Sequence, residues 1–349
     1  MTSTPAPASV PDHLVLRSPD ALVAAVPYLL GFHPRECVVA VWLQDRRIAL
    51  TQRLDLPPSP ADHPAWLAAM WHHPLSDAAD ELLIVIASAQ PADPDLVSLI
   101  MDRAAASAIE VRDVLRVDEG RWWSLLCTDE ECCPAQGRTV EAATASAVAA
   151  EFTLAGRAPM AGRESLEESL GPDQVKQALV AVALAAAPEV PRGAAREAWR
   201  DERITGALRL LRHGPAAGWQ RAEGIADLLR GLDDVRVRET VLWEVSHEDP
   251  EALQGIFGRL SVVLRSAPAG HVAPVASCTA VVAWLLGDGA LAHIAVDRAR
   301  DDDCDYSLAM LLAASLRAGL PPAAWRESMA SLTRDDCRHG ADGRRSAAS

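Results

Sequence analysis

Lysine is nearly missing from this chain. Of its 33 basic side chains only Lys176 is a lysine, and the others are arginine. Phe and Tyr are almost as scarce, three and two residues, against ten Trp. An arginine- and alanine-rich composition of this kind reflects codon bias and carries no functional message. The absences are more useful. Lys176 follows no glycine-rich loop, so the phosphate cradle of P-loop enzymes is excluded. No G-x-S-x-G and no H-E-x-x-H occurs, which removes the common serine-hydrolase and zinc-protease signatures. No C-x-x-C pair occurs either.

Positive charge is also lacking. The net charge is −15. Residues 1–160 hold 11 basic and 21 acidic side chains, and the remainder 22 and 27. Neither half has a basic surplus, so nucleic acid and anionic membrane partners are disfavoured, although a local arginine face is still compatible with these totals. The first residues have no basic segment followed by an apolar one, so they do not read as a secretory signal. The only uncharged apolar stretch, Ser266–Gly287, is interrupted by Pro268, Gly270 and Pro274. A membrane span needs about 20 predominantly apolar residues, so this stretch reads as a buried helix. The expected location is cytoplasmic, with the seven cysteines reduced or metal-bound and not paired as structural disulfides.

Half of the 349 residues are hydrophobic, enough for a sizeable core. At roughly 100–200 residues per domain, two domains are expected. Residues 14–160 alternate between strand-like and helix-like text. Leu14–Arg17 is a short strand candidate. Ser18 and Pro19 open a helix that stops at Gly31. Cys37–Leu43 and Ile48–Leu56 form a hairpin, and a helix follows around Ala61–Trp71. Leu82–Ala87 is the most apolar strand and belongs in the centre of a sheet. A helix then runs to about Ala108, Val111–Val117 and Arg121–Cys127 form a second hairpin, and Thr139–Leu154 is helical. Interleaved strands and helices with two hairpins predict a mixed-sheet α/β domain. Residues 161–335 carry helical spacing nearly throughout and predict a bundle of helical hairpins. Residues 1–13 are expected to be an unstructured leader and 336–349 an unstructured tail.

Several blocks together are familiar. Leu16-Arg17-Ser18-Pro19 is followed by Val26-Pro27-Tyr28-Leu29-Leu30-Gly31-Phe32-His33-Pro34. Arg121-Trp122-Trp123-Ser124 precedes Cys127 and Cys132-Cys133-Pro134. Ala149-Ala150-Glu151 leads to Ala155-Gly156-Arg157, and Ala283-Trp284 to Gly287-Asp288-Gly289-Ala290. With these blocks the chain resembles the actinobacterial domain-of-unknown-function family 4192 over about residues 14–325. The resemblance implies a cytosolic protein of the α/β-plus-helical kind and brings no established activity. Arg35 and Glu36 stand where members often have a small polar pair.

Four groups of residues are candidates for chemistry. Cys127, Cys132 and Cys133 lie within seven residues on a loop leaving a strand, and thiolates at close spacing suit zinc or another soft metal, or a redox pair. Only three ligands are local, so a fourth would have to come from Cys37 or His33. A structural loop with buried thiols is the plainer alternative. His33 follows Gly31, which frees the backbone to turn, and precedes Pro34, which stiffens it. Such a loop can present an imidazole as base or ligand, or simply stop a helix. Trp122 and Trp123 point to opposite faces of a strand, so one packs in the core and the other lines a surface where it could stack on a ligand. Gly287-Asp288-Gly289-Ala290 reads as a corner between two helices and not as a nucleotide loop, since its flanks are helical. The expected function is a non-catalytic binding or regulatory protein, with a ligand site on the α/β domain and a protein partner docked on the helical domain. The alternative is a small-molecule enzyme, with or without a metal, using His33 and the three cysteines.

Overall fold

The computed structural model describes residues 16–73, 75, 78–213 and 221–340. The chain divides into two compact units. One takes the described residues up to Ser165 together with Arg317–Leu320, and the other takes Leu166–Leu316 and the described residues from Pro321 onward.

The first unit is built on a six-stranded sheet of order β2-β1-β3-β4-β5-β6. Its elements are α1 (Pro19–Leu30), β1 (Cys37–Gln44), β2 (Arg47–Asp55), α2 (His63–Met70), β3 (Glu81–Ala87), α3 (Pro94–Ala106), β4 (Glu110–Asp118), β5 (Arg121–Ser124), β6 (Arg138–Thr139) and α4 (Ala142–Leu154). Ser18 caps α1 by accepting from the Ala21 N–H at 3.2 Å, and Gly31 ends the helix in the left-handed conformation that glycine adopts without strain. The β1–β2 turn places Asp45 and Arg46 at positive φ with no glycine to relieve it. Strands β3 and β4 are parallel, with α3 as the crossover, and the other pairs are antiparallel.

β1 is buried from Cys37 to Leu43, so neither of its faces meets water. Val38, Ala40 and Trp42 join Leu82, Ile84 and Ile86 of β3 in one core with Met70, Leu96, Ile100 and Ala104 from the region of α2 and α3. A second cluster packs α1 on α4, with Tyr28 and Phe152 stacked at 4.9 Å between centroids. Burying side chains of this size is worth about 1.5–3 kcal/mol each.

Three local expectations differ from the structure. Leu16 and Arg17 are in no strand, and Leu14 and Val15 lie outside the described residues. The strand expected to reach Cys127 ends at Ser124, although the Leu125 N–H still donates to Val114 of β4 at 2.8 Å, and a two-residue β6 closes the sheet further on. The polar C-terminal segment forms α15 (Arg334–His339), with Cys337 and Arg338 buried. Its Thr333–Asp336 capping box and the ion pairs of Arg338 with Glu197 and Asp201, at 2.6 and 2.7 Å, hold it. The expected leader and residues 341–349 lie outside the described residues.

The second unit is helical, with α5 (Arg163–Leu170) spanning the boundary. It comprises α6 (Gln174–Ala186), α7 (Ala194–His213), α8 (Ala222–Asp233), α9 (Val235–Val245), α10 (Pro250–Ser266), α11 (Val272–Leu285), α12 (Gly289–Asp302), α13 (Ser307–Arg317), α14 (Pro322–Ala330) and α15. Every residue of α11 is buried, and α10 and α12 pack against it. The apolar stretch is therefore a core helix, and no helix among the described residues is long and apolar enough to cross a membrane. Asp288 caps α12 through the Leu291 N–H at 3.0 Å, which makes Gly287-Asp288-Gly289 the helix corner the sequence indicates.

Candidate functional site

The loop between β5 and β6 carries the cysteines. The ligand atoms of Cys127, Cys132 and Cys133 lie within 4.8 Å of one another. His33 and Cys37 do not belong to that group. Cys37 is buried in β1 beside Arg53, and its thiol is pushed up by burial, against the effect of the guanidinium. A fourth ligand from either position is therefore not supplied.

The loop's shape is fixed by its own backbone and by the strands beneath it. The Asp129 carboxylate accepts from the N–H groups of Glu131 and Cys132 at 2.9 and 3.4 Å, and the Cys133 N–H donates to the Asp129 carbonyl at 2.7 Å. Ser124 Oγ accepts from the Cys127 N–H at 3.2 Å and donates to Asp113 at 2.7 Å. On the far side, Arg138 donates to the Cys132 carbonyl at 2.7 Å and Trp123 Nε1 to the Ala135 carbonyl at 3.0 Å. Backbone groups that would otherwise need water are thus occupied inside the loop.

The three thiols are electrostatically unequal. The Asp129 N–H, followed by the Cys133 and Cys132 thiols, donates to Cys127 sulfur and lowers the Cys127 pKa. Burial, with the hydrogen bonds to its two neighbours, pushes Cys133 up to about 12. One sulfur favours the thiolate while another keeps its proton, as donor and acceptor in a shared cluster.

The remaining predicted residues have structural partners. Gly31 is the C-cap of α1. His33 is exposed, and its backbone N–H donates to the Met160 carbonyl at 3.0 Å, while Met160 N–H returns to Gly31 at 2.8 Å. The turn is thereby laced to the segment after α4, and the imidazole stands apart from the thiols. Trp122 is buried, and its Nε1 donates to Asp20 at 3.1 Å, the same oxygen that accepts from the Glu141 N–H. That ring joins α1, β5 and the start of α4. Trp123 pairs across the ladder with Arg116, whose guanidinium lies over its ring at 4.3 Å. A Cβ at Gly137, which sits at φ +73°, would overlap the same ring. The indole is used to seat the cysteine loop. Asp129, Arg138, Arg116 and Gly137 were not candidates in the sequence. Only the Asp129 position, two residues after Cys127, is a signal readable without the fold.

The helical unit contributes an exposed apolar stripe on α6. Val175, Leu179 and Val182 are 73, 57 and 70% exposed, and Val180 is the only buried residue of that helix. The spacing puts the three on one face.

The family described as Domain of unknown function (DUF4192) matches residues 19–323. The chain belongs to that family. No curated protein and no solved structure matches it.

Proposed function

We propose that the protein is a non-catalytic cytosolic binding or regulatory protein whose α/β unit holds a soft metal ion, zinc or copper(I), on Cys127, Cys132 and Cys133. The observation that supports this is the convergence of three sulfurs within 4.8 Å. Three thiolates bound to one ion at about 2.3 Å sit about 3.8 Å apart in tetrahedral geometry, so a small closure of the cluster suffices. Three protein ligands fall short of a closed four-ligand zinc site, so an ion held here would take its fourth ligand from outside the cluster. Thiolate donors select soft ions over magnesium or calcium. In the helical unit the α6 stripe supports docking of a protein partner.

The test is metal content by mass spectrometry on protein purified without chelator or metal-binding tag, with thiols titrated on the same sample. About one ion per chain is expected, lost when Cys132 and Cys133 become Ser. No metal, with all seven thiols titrating after denaturation, would overturn the reading. The lowered Cys127 thiol favours a second reading, thiol redox or nucleophilic chemistry at the same cluster. That reading gains if the metal-free protein reacts with one equivalent of a disulfide reagent and Cys127→Ser abolishes the reaction.

A further inference from the structure

The helical unit also contains a cleft of about 400 Å³ that includes Val190, Pro191, Arg192, Trp199, Asp233 and His271 in its lining. That volume lies within the range of small-molecule sites. We infer that this cleft binds a small aromatic anion, with Arg192 taking the oxyanion and Trp199 the flat ring. The site is independent of the thiol cluster.

The charges of the cleft decide the ligand's sign. Asp234 also lines it, but its carboxylate is already engaged by Arg196 at 2.8 Å and Arg200 at 3.0 Å, and by the N–H groups of Arg236 and Val237 at the start of α9. Asp233 is engaged by His271, whose Nδ1 lies 2.8 Å from Oδ2. Both acids of the cleft are therefore paired. Arg192 is exposed and has no acidic or carbonyl partner among the described residues. It stands as a guanidinium with five donors and an unmet charge, suited to a carboxylate or phosphate.

The apolar side of the cleft decides the ligand's body. Val190 and Pro191 precede Arg192 directly, and the half-buried Trp199 has no aromatic or cationic partner among the described residues. An indole beside aliphatic side chains offers a stacking surface. The polar side is rigid. Asp302 accepts from the N–H groups of Gly270, Val272 and Ala273 at 2.7, 3.0 and 3.0 Å, which fixes the backbone on both sides of His271. The cleft thus joins an exposed guanidinium without a partner among the described residues, a half-buried ring and an imidazole on a fixed backbone.

The experiment is calorimetric titration of the full chain with 2-naphthoate and with its neutral counterpart 2-naphthylmethanol. One naphthoate per chain is expected, at least tenfold tighter than the alcohol. Arg192→Ala should bring naphthoate down to the affinity of the alcohol. Trp199→Ala should weaken both by tenfold or more. Circular dichroism melts identify any variant that fails to fold, and Arg192→Gln, at an exposed position, then carries the charge test. Absence of saturable binding, equal affinity for the two probes, or naphthoate binding indifferent to Arg192→Ala would overturn the inference. The Cys132→Ser/Cys133→Ser protein should bind naphthoate as the wild type does, which separates this outcome from that of the metal site.

Discussion

The guanidinium of Arg116 lies 4.3 Å from the centroid of the Trp123 ring, directly across the β4–β5 ladder. Arg116 is itself held, donating to the carbonyls of Ser88 and Ala89 at 3.2 and 3.0 Å beyond β3. A chain of contacts thus runs from the end of β3 through Arg116 and Trp123 to the loop that carries the thiols.

Gly137 is the tightest point of that chain. Alanine there would meet the Trp123 ring and would hold a positive φ at a cost L-residues normally avoid. Gly137→Ala is expected to destabilise the protein by about 1–3 kcal/mol. Urea unfolding monitored by circular dichroism measures it, and an unchanged midpoint would contradict the packing described.

Asp129 organises the cysteine loop without being a ligand. Replacing it by Ala frees the Glu131 and Cys132 N–H groups but leaves all three thiols in place. Groups that orient metal ligands in this way typically contribute about 10–100-fold to affinity. If the thiols hold zinc as proposed, Asp129→Ala should weaken that binding by the same factor in a competition titration with a chromophoric chelator, with the stoichiometry unchanged.

Cys127 should react at lower pH than Cys133. Its pKa is lowered by the Asp129 N–H and its thiol neighbours, whereas Cys133 is pushed up to about 12. In metal-free protein, iodoacetamide labelling followed by peptide mass spectrometry should place the Cys127 midpoint below that of an ordinary thiol, near 9, and the Cys133 midpoint above it. Equal rates at the two sites would contradict the hydrogen-bond order.

Asp234 ties the start of α9 to two arginines of α7. Burial acts to raise its carboxyl, but the hydrogen bonds from Arg196 and Arg200 prevail and hold it below the usual range. In Glu244 the bonds from Arg334 and Arg212 likewise outweigh burial. A folded pKa below the unfolded one gives stability that is complete above the unfolded value, about 4, and is lost as pH falls through the folded value. Asp233 opposes this, since burial raises its carboxyl despite His271. Melting temperature should fall below about pH 4, and Asp234→Asn should flatten that fall. Asp234→Ala, which also removes the cap, should cost about 2–4 kcal/mol at neutral pH.

Much of the architecture is legible in the residues. Ser18-Pro19 and Gly31 bracket α1 because capping and left-handed termination are local effects. The run Leu82–Ala87 lies inside the sheet because no other place buries it. Asp288 announces the α11–α12 corner for the same local reason. β6 is not legible, since Arg138 and Thr139 become a strand only by pairing with Trp122 and Arg121. α15 is hidden by its polar text, because its stability comes from Arg338 reaching Glu197 and Asp201 on α7. The site divides the same way. Close spacing brings the three cysteines together, but the sequence offers no way to see that His33 stays apart or that Trp123 is covered by Arg116. The cleft of the helical unit is assembled from segments some 80 residues apart, Arg192 and His271 among them, and no local pattern marks it.

α11 has no polar face at all. As a nascent or truncated chain ending just past Leu285, it would present a fourteen-residue oily cylinder with half its sheath unmade. The residues after it, under a fifth of the polypeptide, therefore complete its cover through α12 and α14. Fragments cut within this half should precipitate or be degraded where the intact chain stays in solution.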